Sequence, residues 1–213
     1  MNILLVDDHA IVRQGYTGLL EMTFTQAHIR EATSGEEAIS AAQQQVPDLV
    51  VLDIGLPGIS GVETARRLLL RWPSMRILFF SMHDELPLVR QALATGALGY
   101  ITKGAAPDVL LEAVRRCLGG QRYIEQDLAT QLACAGTDGT LDPRLKCMTQ
   151  REFEIFVMLA KGTPPRRIAS QLCISSKTVS NNLTVLKQKL NVSSLTELVH
   201  LAIDTGVIRV QVA

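Results

Sequence analysis

Along the first 118 residues the apolar positions follow two alternating rhythms. Short runs of strand length, Ile3–Val6, Ala27–Glu31, Leu49–Leu52, Arg76–Phe80 and Leu98–Thr102, are bounded by turn formers. Between them, and after the last, the pattern is helical. Ser34 and Glu37 have capping-box spacing at the start of the second helical stretch. The third begins after Gly61, and the fifth near Pro107, a favourable first-turn residue. Five strand–helix units predict an α/β domain with a parallel five-stranded sheet and helices on both faces.

Residues 119–147, GGQRYIEQDLATQLACAGTDGTLDPRLKC, break this rhythm with two Gly-rich clusters and Pro143 around a short helical piece. They read as an interdomain linker. Beyond it the patterns are helical only, over about 150–161, 164–172, 176–190 and 194–205, so a small all-α domain is expected. The reading is therefore a first domain at 1–118, a linker at 119–144 and a second domain at 145–213. A length of 213 residues suits two domains, and 47% hydrophobic residues suit folded ones.

Composition narrows the picture. No apolar run reaches 18 residues, so no membrane span is expected. The start, MNILLVDD, lacks a basic stretch and a cleavage signal, which makes a cytoplasmic location the default. Cys117, Cys134, Cys147 and Cys173 lack metal-ligand spacing and read as reduced thiols packed as small hydrophobes. The net charge of zero conceals an asymmetry: residues 1–118 carry 10 Lys/Arg against 13 Asp/Glu, residues 141–213 carry 10 against 5. An acidic first part and a basic last part suggest two tasks, the second involving a polyanion.

In an open α/β sheet, ligands bind beyond the carboxyl ends of the strands. There the first strand ends in Asp7-Asp8, the third in Asp53, the fourth in Ser81 and the fifth in Lys103. Three carboxylates at close range repel, so a divalent cation is expected to hold them. Oxygen donors without an imidazole suit Mg²⁺, or Mn²⁺. A carboxylate beside such an ion can attack phosphorus. Lys103 can then neutralise phosphoryl oxygens and Ser81 can donate to them. His83, in the loop after Ser81, reads as a surface residue, and Tyr100 on pattern alone is a half-buried strand residue.

The motifs LLVDDH, LVVLDIGLPGISG, LFFSMHD and GYITKGA resemble, in order, those of response-regulator receiver domains, over the whole of residues 1–118. The resemblance implies a flavodoxin-like fold of strand order 2-1-3-4-5 and phosphotransfer from a sensor histidine kinase to Asp53. It implies that Asp8, Asp53 and the Gly55 carbonyl bind Mg²⁺ directly and Asp7 through water. Ser81, Lys103 and Tyr100 match the switch hydroxyl, the lysine and the switch aromatic.

The stretch PPRRIASQLCISSKTVSNNLTVLKQKLNV shows a helix, a tight turn and a helix. Thr163 is expected to cap the first, with Pro164 as its first residue; Cys173-Ile174 would form the turn and Ser175 cap the second helix. Val179, Leu183, Leu186 and Leu190 make one apolar face. The other presents Lys177, Asn181, Thr184 and Gln188, with Ser180 at its margin, and no acid, which suits a major groove of double-stranded DNA. Residues 144–189 carry nine Lys/Arg against two Glu, which suits phosphates.

MTQREFEIFVMLAKG with RRIASQLCISSKTVSNNLTVLKQKLNV resembles the LuxR-type helix-turn-helix of response regulators. That resemblance implies base contacts near Ser180, Asn181 and Thr184, and phosphate contacts from Lys177, Thr178 and Lys187. Pro164-Pro165-Arg166-Arg167 replaces the family's usual polar Ser-Asn-Lys-Glu run, and Asn182 its usual His. Together the halves imply a phosphorylation-controlled transcription regulator of the NarL/FixJ type that forms a homodimer when phosphorylated or on DNA. A constitutive DNA-binding regulator is opposed by the complete acid pocket. An Asp-nucleophile phosphatase is opposed by Gly55, which stands where such enzymes place a second acid.

Overall fold

The computed structural model describes residues 1–134, 144–145, 148–172 and 174–208. The chain divides into two compact units, Met1–Leu132 and Ala133–Ala213. In the first, β1 (Asn2–Val6), β2 (His28–Ala32), β3 (Leu49–Leu52), β4 (Ile77–Ser81), β5 (Gly99–Thr102) and β6 (Tyr123–Ile124) form one parallel sheet of order β2-β1-β3-β4-β5-β6. Helices α1 (Ala10–Thr23), α2 (Gly35–Gln44), α3 (Gly61–Arg71), α4 (Leu86–Leu93) and α5 (Pro107–Leu118) connect the strands, and α6 (Gln126–Cys134) follows β6.

The continuous apolar runs of β3 and β4 are buried on both sides, as a sheet covered by helices requires. Ile3, Leu5, Leu49, Val51, Leu78 and Phe80 pack with Leu20 of α1 and Leu110, Ala113, Val114 and Cys117 of α5. Their alternates Leu4, Val50, Leu52 and Phe79 point to the opposite face and are equally buried. Burial pushes the Cys117 thiol up to about 11, which makes it an inert packing group, whereas Cys134 is exposed. Cys147 and Cys173 lie outside the described residues.

Two differences from the sequence reading have local causes. β6 and α6 arise inside the segment read as linker: two paired residues leave no periodic signature, and β6 is held by the edge of β5. Ser34 caps α2 by accepting from Glu37 N (3.2 Å), but the Glu37 carboxylate reaches back to Thr33 N and Oγ1 (both 2.7 Å) rather than to Ser34.

The second unit contains α7 (Gln150–Ala160), α8 (Pro165–Gln171), α9 (Ser176–Leu190) and α10 (Leu195–Asp204). Its core includes Phe153, Phe156, Ile168, Leu172, Val179, Leu186, Leu190, Leu198 and Leu201. Thr149 and Glu152 form a reciprocal capping box on α7, and the Glu152 carboxylate also accepts from Lys189 Nζ of α9 at 2.7 Å. Pro164, not Thr163, occupies the cap position of α8, without a side-chain cap, and Pro165 is its first residue. A proline at that point costs nothing because the first-turn N–H has no helical partner.

Two substitutions test the packing of the first unit. A Cβ on Gly61 would run into the Asp53 carbonyl oxygen and lie 2.8 Å from Ile54 Cα, so Gly61→Ala should cost about 2–4 kcal/mol. Gly15, inside α1 with nothing near its Cβ position, should gain about 0.5–1 kcal/mol on change to Ala. Urea midpoints of the two variants measure both signs. In the second unit, burial would raise the Glu152 carboxyl, but Lys189 and the Thr149 bonds outweigh it and hold it below its ordinary value of 4.5. Its contribution is present above that value and lost as pH falls through the lowered one. Glu152→Gln should therefore cost about 1–2 kcal/mol at pH 7 and progressively less on acidification, as measured by urea unfolding across that range.

Candidate functional site

The strand order reverses between β1 and β3, so the crevice beyond their carboxyl ends is the place where a ligand fits. Asp7 and Asp8 follow β1 directly. Asp53 follows β3, and its N–H donates to the Val6 carbonyl at 2.9 Å, which pins it beside them. The Lys103 N–H donates to the Ser81 carbonyl at 2.8 Å and fixes the end of β5 against β4 in the same way. The topology thus gathers Asp7, Asp8, Asp53, Ser81 and Lys103 at one edge of the sheet.

The charges converge on Lys103. Its Nζ lies 2.6 Å from Asp7 Oδ2 and 2.5 Å from Asp53 Oδ2, and the ammonium is almost entirely buried with both carboxylates. Burial alone would lower its pKa, but the Asp53 and Asp7 carboxylates outweigh that and raise it. Asp8 lacks this counter-charge: burial pushes its carboxyl up, His9 opposes the rise, and Asp53 and Asp7 add to it. Ligand atoms of Asp7, Asp8, His9 and Asp53 all lie within 4.8 Å of one another. Three carboxylates against one ammonium form a donor set that fits a divalent cation.

His9 went unnoticed in the sequence reading, which took the pocket to be free of imidazole. Its Nδ1 lies 2.8 Å from Asp8 Oδ1 and 3.3 Å from Asp7 Oδ1, and its N–H donates to Asp7 Oδ1 at 2.9 Å. The signal was its place directly after the two aspartates. Arg13, also unmarked, donates to the Asp7 carbonyl at 2.7 Å and pairs with Glu31. The Gly55 N–H points to Asp53 Oδ1 at 3.3 Å, which places Gly55 at the lip of the pocket.

Ser81 is fully buried. Tyr100 is fully buried too, rather than half-buried, because its β5 position lies under α4 and against Phe79, 6.0 Å between ring centroids. Its hydroxyl donates to the His83 carbonyl at 2.8 Å, and Ser81 Oγ accepts from the His83 N–H at 3.4 Å. Burial, then Glu85 and Asp53, push its phenol well above the ordinary value. His83 is not a plain surface residue: its ring is mostly covered, with Nδ1 3.1 Å from Glu85 Oε2. Glu85 is itself buried, so the β4–α4 loop turns His83 and Glu85 inward while Asp84 stays exposed.

In the second unit α8 and α9 are joined through a tight turn, where Cys173 falls outside the described residues, and Ser175 caps α9 by accepting from Thr178 N at 3.0 Å. The apolar face of α9 behaves as its spacing predicts: Val179, Leu186 and Leu190 are buried and Leu183 is partly so. Lys177, Thr178, Ser180, Asn181, Thr184 and Gln188 are exposed. Hydroxyls on this face bond locally: Thr178 to Ser175 (2.8 Å), Ser180 to the Ser176 carbonyl (3.1 Å) and Thr184 to the Ser180 carbonyl (3.1 Å). Asn182 donates to the Thr178 carbonyl (2.8 Å), and Lys187 Nζ to the Ser193 carbonyl (3.1 Å). Among the described residues the side chains of Lys177, Asn181 and Gln188 have no hydrogen-bond partner. No helix is long and apolar enough to cross a membrane among the described residues.

Comparisons with known proteins agree with both halves. Residues 3–115 match the response regulator receiver domain, and residues 146–202 match the bacterial regulatory proteins of the luxR family. The chain is similar to the transcriptional activator protein ExaE of Pseudomonas putida, 59% identical over 212 residues covering 99% of each. It is similar to the response regulator UvrY of Escherichia coli K12, 36% identical over 97% of this chain and 95% of that one. Among solved structures, a LuxR-family two-component response regulator from Aurantimonas sp. SI85-9A1 superposes with a TM-score of 0.61 at 37% identity, covering 63% of this chain and 96% of that one. The RcsB response regulator in its DNA complex has a TM-score of 0.59 at 22% identity over 94% of this chain and 96% of that one, a likeness of fold. The chain therefore belongs to the NarL/FixJ-type response regulators of two-component systems, a transcription regulator rather than an enzyme, with a receiver domain followed by a LuxR-type DNA-binding domain.

Proposed function

We propose that Asp53 is the phosphoacceptor and that its phosphorylation by a sensor histidine kinase controls DNA binding by α9. The observation that carries this is the Asp7–Lys103–Asp53 arrangement beside Asp8, at the carboxyl edge of the sheet. An Asp53 carboxylate oxygen attacks phosphorus, the P–N bond to the donor imidazole breaks, and the imidazole regains a proton. Asp8, Asp53 and the Gly55 carbonyl would hold Mg²⁺ directly and Asp7 through water, the cation supplying neutralisation of the phosphoryl oxygens. Lys103 exchanges its bond to Asp53 for a phosphoryl oxygen, and the Ser81 hydroxyl, whose Oγ accepts from the His83 N–H, turns to donate to another. Weakening the Ser81–His83 bond loosens the His83 carbonyl that accepts from Tyr100, which shifts a pre-existing equilibrium of the receiver surface.

In this reading the receiver occupies 1–118 and the DNA-binding domain 145–213, joined by 119–144, in a cytoplasmic protein. The output is transcriptional activation, as the name of the Pseudomonas putida relative states for that protein. Lys177, Thr178 and Lys187 meet phosphates; Ser180, Asn181, Thr184 and Gln188 face bases. One short helix reads only a few base pairs, so a homodimer on paired half-sites is the expected form.

Asp53→Asn should abolish labelling by acetyl phosphate with Mg²⁺, read by intact mass. Its stability should change by no more than about 1–2 kcal/mol, because Lys103 retains Asp7. Labelling at full stoichiometry in that variant would exclude Asp53.

On DNA two substitutions should separate. Lys177→Ala should weaken binding to all sequences and flatten the salt dependence by about one unit. Asn181→Ala should cost about 1–3 kcal/mol at one base position only. Salt titrations on cognate and scrambled duplexes measure both, and equal losses on the two duplexes for Asn181→Ala would remove it from the base-reading set.

A further inference from the structure

The segment that leaves the receiver pairs with β5 and ends that pairing at Glu125. Tyr123 and Ile124 pair with Gly99 and Tyr100, and the Glu125 N–H donates to the Tyr100 carbonyl at 3.0 Å. There the strand pairing ends. The next edge N–H of β5, that of Thr102, has no further strand to meet, and the Glu125 carboxylate takes its place. One oxygen, Oε2, accepts from Thr102 N at 2.7 Å and from Thr102 Oγ1 at 2.8 Å. The Glu125 carbonyl meanwhile accepts from Ala129 N at 2.8 Å, so the same residue opens α6.

A second feature shows that the docking is built into β5. A Cβ on Gly99 would lie 2.5 Å from the Tyr123 carbonyl oxygen, so a side chain there would force β6 away. Arg116 of α5 lies over the Tyr123 ring at 5.6 Å and covers the strand from outside. Position along the chain gives the clasp its meaning. Thr102 stands between Tyr100 and Lys103, and α6 carries the chain across the point where the first compact unit gives way to the second.

We infer that Glu125 is a positioning residue that transmits the state of Asp53 to α6 and through it to the DNA-binding domain. The inference rests on the phosphoacceptor reading. Lys103 moves toward a phosphoryl group and takes the end of β5 with it. Thr102 is adjacent, and its two bonds to a single carboxylate oxygen are set by short distances that a shift of β5 changes together. The N-terminus of α6 is then held or released according to the pocket at the far side of the same strand end. A carboxylate is not required for this, only an acceptor oxygen at that place, which separates the role from a charge effect.

Amide exchange of Gln126–Cys134 in the full chain tests it. In unmodified protein, Glu125→Ala should speed that exchange about tenfold, since two hydrogen bonds are lost, while Glu125→Gln, whose carbonyl can accept both, stays near wild type. Acetyl phosphate with Mg²⁺ should change α6 exchange in wild type and not in Glu125→Ala, with Asp53 labelled equally in all three proteins. The gain in DNA affinity on phosphorylation should fall about fivefold in Glu125→Ala and be kept in Glu125→Gln. Wild-type exchange in Glu125→Ala, or equal changes in Ala and Gln, would overturn the clasp. Unchanged α6 exchange in phosphorylated wild type would overturn its role in transmission. If wild type does not label at all, the phosphoacceptor reading fails, and with it the transmission role, while the unmodified variants still decide the clasp.

Discussion

One ammonium decides the state of the receiver pocket. The sheet order places three carboxylates where their mutual repulsion is least screened, and Lys103 lies between two of them, within 2.6 Å of each. Taking a lysine out of water is costly, and an unpaired one would discharge. Here the pair of acids reverses that tendency, so the lysine pKa is raised and the bonds are fully present at neutral pH; they weaken only as pH rises through the raised value. Burial raises the Asp8 carboxyl, His9 opposes the rise, and the neighbouring Asp53 and Asp7 carboxylates add to it. A pocket so composed offers oxygen donors that suit a divalent cation.

The same strand that presents Lys103 carries two other residues bonded to groups outside it. Tyr100 lies three residues earlier, buried, with its hydroxyl on the His83 carbonyl, so the β4–α4 loop is tied to β5. Thr102 lies between them and holds Glu125. A strand buried on both faces cannot bend one residue independently of its neighbours, because packing at interior density transmits displacement.

The second unit works on different physics. The polar face of α9 is exposed, so water competes for each of its contacts. The hydroxyls of Thr178, Ser180 and Thr184 are already bonded within α9 or its cap and would exchange one partner for another on DNA. Lys177, Asn181 and Gln188 carry no such commitment among the described residues. Lys187 stabilises the turn after the left-handed Asn191 through the Ser193 carbonyl.

Most of the fold was legible in the sequence because it depends on local rules. Strands buried on both faces must be short unbroken apolar runs, as Leu49–Leu52 is, and amphipathic helices must repeat at 3.6, as Val179, Leu183, Leu186 and Leu190 do. The acids at strand ends were legible too, since the carboxyl edge of a parallel sheet collects whatever follows each strand. What no linear pattern carries is contact between residues far apart in the chain. The imidazole of His9 among the acids, the inward turn of His83 onto Glu85, and the two-residue strand β6 all depend on partners supplied by the folded sheet. So does the clasp of Glu125 on Thr102, which in sequence is one acid in a polar linker. The sequence by itself determined most of the elements, the succession of an α/β part and a helical part, and the chemistry offered at the sheet edge. Only the tertiary structure decided which of those groups meet, because hydrogen bonds and ion pairs depend on distances of a few ångströms that are set when the helices pack on the sheet.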